Sequence, residues 1–259
     1  MRISVLLLFL SLSSFAQEKK IATLNFDALY HAGINPAGEL YVASSNKLQR
    51  FDKEGQLMKE LSLSTAPSIT QFDAWHLTQL VLYYRETQRV EIYNPELEIR
   101  NSFIIDSVFA IEPHWIAASF DQKNFWIFDG ADGSIKKVNY KTGEVLLDEV
   151  VTAFNSSSEK ILSMREYQRF LFIQTASKLY IFNAMGKHIR TLNSEKQSFD
   201  FFGEEITLIQ STNLHFSSLF TKDERSKTLP GLFQKIWLSD ERLFGVKGNT
   251  IEIFAFDPQ

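Results

Sequence analysis

The side chains able to do chemistry are few and scattered. The five histidines are His31, His76, His114, His188 and His215. No two of them stand at metal-ligand spacing, and no HExxH occurs. Cysteine is absent, which removes zinc–thiolate sites and thiol nucleophiles. Asp129-Gly130-Ala131-Asp132-Gly133 loosely resembles a calcium loop, but it lacks the alternate-position ligands and the distal Glu. Asp and Gly between two extended runs read better as a hairpin turn. Asn155-Ser156-Ser157 matches the glycosylation pattern and reads as a polar loop. Neither a Gly-rich phosphate loop nor a GxSxG elbow is found. The four tryptophans, Trp75, Trp115, Trp126 and Trp237, could line a mouth for a sugar or a peptide. Packing between sheets is the favoured alternative, because large aromatics fill wedges. These residues predict no catalytic group, no metal site and no cofactor.

The elements that must position these residues are short. Glu39–Ala43, Lys47–Phe51 and Gln56–Leu61 are three β-rich runs separated by Ser44-Ser45-Asn46 and Asp52-Lys53-Glu54-Gly55. Turn residues that frequent indicate an antiparallel meander. The unit recurs from Gln79, Asn124, Arg169, Glu205 and Arg242. Its first strong apolar residues are Leu40, Leu80, Phe125, Phe170, Ile206 and Leu243, at intervals of 40, 45, 45, 36 and 37. Asp52, Asn94, Asn139 and Asn183 recur as turn residues. A further strand precedes each unit, at Tyr30–Ile34, Phe72–His76, Trp115–Phe120, Leu162–Glu166, Phe199–Phe202 and Lys235–Ser239. Several carry small residues (Ala32, Gly33, Ala74, Ala117, Ala118), as expected of an innermost strand facing a narrow channel.

A period near 40 residues with four strands per unit predicts an all-β, six-bladed β-propeller with antiparallel blades. The expected blades are 30–62, 70–105, 114–150, 160–192, 198–233 and 235–256. The last unit lacks its outer strand, and Ile21–Phe26 is a strand without a blade. Pairing the two closes the ring and removes a sticky edge. In the fifth unit, Thr221–Lys227 followed by Leu229-Pro230-Gly231 predicts an irregular blade or a protruding loop over Ser218–Phe233. Histidines 31 and 76 fall on inner strands of adjacent blades, where ring-related histidines can hold a metal, but no acidic partner recurs with them. Asn35, Asp73 and Asp200 lie on or near inner strands, and nothing in their spacing selects them as ion ligands.

Residues Ala32–Leu61 resemble an NHL-like or TolB-like six-bladed propeller repeat. The likeness lies in Gly33–Gly38, Leu40–Ala43, Leu48–Phe51, Asp52–Gly55 and Gln56–Leu61, with a weaker copy at Arg169–Asn193. The resemblance implies a binding platform in most cases, and a metal-dependent lactonase or lyase in a minority.

The first residues, MRISVLLLFLSLSSFA, have the charge, apolar run and small residues of a secretory signal peptide, with cleavage expected after Ala16. The run is too short for a comfortable membrane span, and no later stretch approaches membrane length. Residues 17–259 are then one exported domain of 243 residues without disulfides, held by its core. That domain carries 26 basic and 31 acidic residues and no basic run, so nucleic acid is not an expected partner. The expected location is periplasmic or secreted, in a Bacteroidota-like bacterium. The expected function is a non-enzymatic scaffold, monomeric by itself, that binds another envelope protein; a narrower version of the same expectation makes it a subunit of an outer-membrane secretion or uptake assembly. Its binding residues are sought on the loops: Arg85 and Glu86, His114 and Trp115, Asp129 to Asp132, and Lys247. The alternatives are a divalent-metal lactonase or lyase, and a glycan or small-molecule binder using Trp75, Trp115 and Trp237.

Overall fold

The computed structural model describes residues 19–63, 68–152, 160–194 and 198–257. The expected signal peptide and the Asn155 sequon lie outside them. Six four-stranded antiparallel sheets form a β-propeller. The first blade comprises β2 (Leu29–Ile34), β3 (Leu40–Ser44), β4 (Lys47–Phe51) and β5 (Leu57–Ser62), following the closing strand β1 (Lys20–Asn25). The second holds β6 (Gln71–His76), β7 (Gln79–Tyr84), β8 (Arg89–Tyr93) and β9 (Ile99–Ile104), and the third β10 (Pro113–Ala118), β11 (Asn124–Asp129), β12 (Ser134–Asn139) and β13 (Glu144–Val150). The fourth holds β14 (Ser163–Tyr167), β15 (Phe170–Gln174), β16 (Lys178–Phe182) and β17 (His188–Asn193). The fifth holds β18 (Phe199–Phe202), β19 (Glu205–Gln210), β20 (Asn213–Ser218) and β21 (Glu224–Thr228). Strands β22 (Lys235–Ser239), β23 (Arg242–Lys247) and β24 (Thr250–Ala255) make the sixth blade, which β1 completes. Leu24 pairs with Ile251, and Ala22 with Ile253.

Among the described residues no blade has a core of its own. Each of the six apolar clusters straddles two neighbouring blades. The reason is the strand period of two residues. In β7, Leu80, Leu82 and Tyr84 pack toward the first blade, while Val81 and Tyr83 pack toward the third. A strand covered on both faces reads as a continuous apolar run, which is what QLVLYY is. Side chains also bond across blades. The Gln71 amide donates to the Ile116 carbonyl at 2.7 Å, and its oxygen accepts from the Ile116 N–H at 2.6 Å. The Trp126 indole N–H donates to the Glu166 carboxylate. On the inner strands, a Cβ added at Gly33 would stand 3.3 Å from that of Ala74, so a small residue is needed where the first two blades converge.

The recurring Asp and Asn residues have one physical role. The Asp52 carboxylate accepts from the N–H groups of Glu54 and Gln56. Asn183 does the same for Met185 and Lys187, Asn139 for Lys141 and Thr142, and Asn94 for Glu98. Each holds the turn between third and outer strands. In the fifth blade Ser218 substitutes, accepting from Phe220 and Thr221. The irregularity expected at Ser218–Phe233 does not extend to the strand itself: β21 pairs with β20 from Thr228–Asn213 to Glu224–Ser217. Its polar sequence is tolerated because an outer strand is covered on one face only, and its residues alternate exposed and half-buried.

Candidate functional site

Antiparallel alternation puts the connections between blades, and the turns between second and third strands, on one face of the ring, here called the upper face. Arg85 and Glu86 lie there, in a 3-10 turn (Arg85–Thr87) that contacts β10. Asp132 occupies the β11–β12 turn, and Lys247 ends β23. His114 is the extra residue of a β-bulge, since Pro113 pairs with Asp129 and Trp115 with Phe128. The bulge turns the imidazole over Gly130, where a Cβ would meet the ring at 2.3 Å. It lies 3.5 Å from the Glu112 carboxylate. Thus His114, Asp129 and Asp132 gather on the third blade, with Arg85 and Glu86 beside it, while Lys247 belongs to the sixth.

Asp129 departs from its expected place on a loop. It ends β11 and is fully buried. Its carboxylate accepts from the N–H groups of Ile111, Glu112 and Ala131 at 2.9, 2.9 and 3.1 Å, and from the Lys136 ammonium at 2.8 Å. Burial alone would raise its pKa. The ammonium and the three N–H groups outweigh burial and bring it down to about 2. The acceptor therefore serves the loop between the second and third blades. Asp106 pins the other end of that loop, taking the Val108 N–H on its carboxylate and the Phe109 N–H on its carbonyl. Between these anchors Val108 and Ile111 stand 77% and 66% exposed, and Ile104, which ends β9, is 66% exposed. Sequence reading missed these three aliphatic residues, although the run IIDSVFAI between two strands carries them.

The inner strands line a channel of about 590 Å³. Trp75, Trp115 and Trp237 all reach it. Trp126 does not: it is buried between the third and fourth blades under the Lys137 ammonium, 4.7 Å from its ring. Trp237 is only 3% exposed and packs in the core between the sixth and first blades. Trp75 carries the Arg165 guanidinium 4.5 Å over its ring and meets Tyr167 edge-on. Arg165 also pairs with Asp200 at 2.5 Å. Burial pushes the Asp200 carboxyl up, against the pull of Arg165 and Lys235. The Lys235 ammonium lies 4.9 Å over the Trp237 ring.

The other candidates from the sequence scatter. Asn35 is buried away from the channel and holds the β2–β3 turn, accepting from Ala37 and Glu39. His31 bonds to the Ile69 carbonyl at 2.9 Å and stacks on Phe72; burial lowers its pKa. His76 approaches Asp73 instead, at 3.9 Å. Among the described residues no three His, Asp or Glu side chains converge as a metal site would require. Arg165 and Lys235 were not singled out from the sequence. For Lys235 the available signal was a cation at the head of a mostly apolar inner strand, KIWLS; the mixed sequence SMREY around Arg165 carried none.

No family model matches the chain, and no curated protein sequence does. Solved structures resemble it. The WD40 domain of Pan2 from Neurospora crassa superposes with a TM-score of 0.60, over 94% of this chain and 97% of that one, at 6% identity. Virginiamycin B lyase from Staphylococcus aureus gives 0.54 over 88% and 80%, at 11% identity. The extracellular domain of BT4673 from B. thetaiotaomicron gives 0.53 over 91% of this chain and 36% of that one, at 12% identity. At such identities the likeness establishes the β-propeller fold, and the resemblance to NHL-like repeats goes no further than that. Among the described residues no helix is long and apolar enough to cross a membrane.

Proposed function

We propose that this propeller is a non-catalytic exported scaffold that docks a protein of the cell envelope on the upper face of its second and third blades. One observation carries the reading: the loop from Asp106 to Glu112 is pinned at both ends by carboxylates, yet it offers Val108 and Ile111 to solvent. An apolar pair held rigid before contact loses little entropy on binding, and apolar side chains gathered on a fixed loop mark interaction sites. His114, Glu112, Asp132 and Arg85 supply a polar rim around it. The signal-like residues 1–16 and the extracellular fold neighbour support the location.

The test places a photo-crosslinking residue at Val108 in the native host and, as a control, at Met185 on the opposite face. The expected result is one crosslinked envelope protein from position 108 only. That protein, purified, binds the wild-type propeller and loses affinity at least about tenfold for Ile111→Asp, in line with loss of an apolar anchor. Equal crosslinking from both positions, or unchanged affinity of the Ile111→Asp protein with its fold intact, overturns the reading.

A further inference from the structure

The channel charges do not all cancel in pairs. Arg165 is committed to Asp200. The Asp73 carboxylate accepts the Trp75 N–H at 3.0 Å and stands beside His76. Lys235 is different. It projects from the first position of β22 into the channel, and among the described residues no carboxylate lies within ion-pair distance of it and no acceptor takes its N–H groups. Among the described residues its ammonium packs over the Trp237 ring, 4.9 Å away. An ammonium with unused donors, held against an indole in a concave space, is half of an ion pair. The wall offers aromatic surface at Trp75, Trp115, Phe72 and Phe199, interspersed with polar side chains such as Gln71, Ser163 and Gln234.

We propose that the channel binds a small apolar monocarboxylate, with its carboxylate on Lys235 and its body among the channel aromatics. The volume of about 590 Å³ suits a ligand of one or two rings. The charged or titratable groups facing Lys235 are Asp200, Arg165, Asp73 and His31. Burial, and then Arg165, work against the ammonium, with Asp200 and Asp73 opposing them, and the net effect lowers its pKa. A carboxylate on its donors relieves that situation. An amine ligand on Asp73 would instead add a third cation to the same channel.

The experiment uses the full mature chain and three matched probes: phenylacetate, the neutral phenylacetamide and the cationic phenethylamine. Calorimetry measures binding, and tryptophan fluorescence reports whether the channel is occupied. Phenylacetate is expected to bind at least about tenfold more tightly than the amide, as one charge-assisted hydrogen-bonded contact requires. Lys235→Met is expected to erase that preference while the thermal transition stays cooperative. Lys235→Arg keeps the charge and is expected to retain most of it. Failure of phenylacetate to bind, equal binding of acid and amide, preference for the amine, or an unchanged preference in Lys235→Met each overturns the proposal. Crosslinking from Val108 is unaffected by these variants, so this reading and the docking reading stand or fall separately.

Discussion

Asp129→Asn tests the link between buried charge and the exposed loop. The substitution is isosteric but removes the nearest of the three carboxylates that Lys136 faces, the others being Asp132 at 3.4 Å and Asp148 at 4.0 Å, and the Lys136 side chain is itself only 10% exposed. It also turns an amide N–H₂ toward groups that are all donors: Ile111, Glu112, Ala131 and Lys136. A folded-state pKa of about 2, against an ordinary value of 3.8, corresponds to about 2 kcal/mol of stability at pH 7. One buried donor left without an acceptor adds about 1 kcal/mol. The expected loss is therefore about 3 kcal/mol at pH 7, a large part of a typical total of roughly 5–15 kcal/mol. The sign with pH follows from the depressed pKa. The charge contribution is present above the ordinary carboxylate range and fades as pH falls toward about 2. By pH 3 it is about 1 kcal/mol, so the gap between wild type and variant shrinks to about 2 kcal/mol. Urea unfolding at the two pH values measures the gap. Hydrogen exchange at the Ile111 and Glu112 amides measures the local effect, and both amides are expected to exchange faster in the variant. A gap under about 1 kcal/mol at pH 7, a gap independent of pH, or unchanged protection of the two amides would refute the reasoning.

Two further outcomes test the ring. Leu24→Asp puts a charge into the apolar cluster between the sixth and first blades, and is expected to lower the urea-unfolding free energy by about 3 kcal/mol; an effect below about 1 kcal/mol would make the closing strand dispensable. Trp237→Ala is expected to cost about 3–5 kcal/mol because its ring is core, whereas Trp75→Leu is expected to cost less than half as much in the same assay, since Trp75 is only partly buried and faces the channel.

The propeller is legible in the chain because its signals are local. Most strands are announced by period-two or continuous apolar runs, and the outer turns of the first four blades by an Asp or Asn that caps its own backbone two to four residues on. Closure follows from counting strands: three at one end and one at the other. The outer strand of the fifth blade read as irregular because a strand buried on one face needs little apolar content, and Glu224–Thr228 has almost none. The candidate sites were harder to read for a different reason. Asp129 looks like an ordinary turn residue from its neighbours, and its role comes from Ile111 and Glu112, which reach it from the preceding blade connection. Asp73, Arg165, Asp200 and Lys235 belong to four different blades and meet only where the inner strands converge. Local hydrogen bonding and burial periodicity are properties of a short stretch, so they can be read in order along the chain. Which charges remain unpaired, and which tryptophan is wall rather than core, depends on neighbours supplied by distant residues, and only the closed ring decides that.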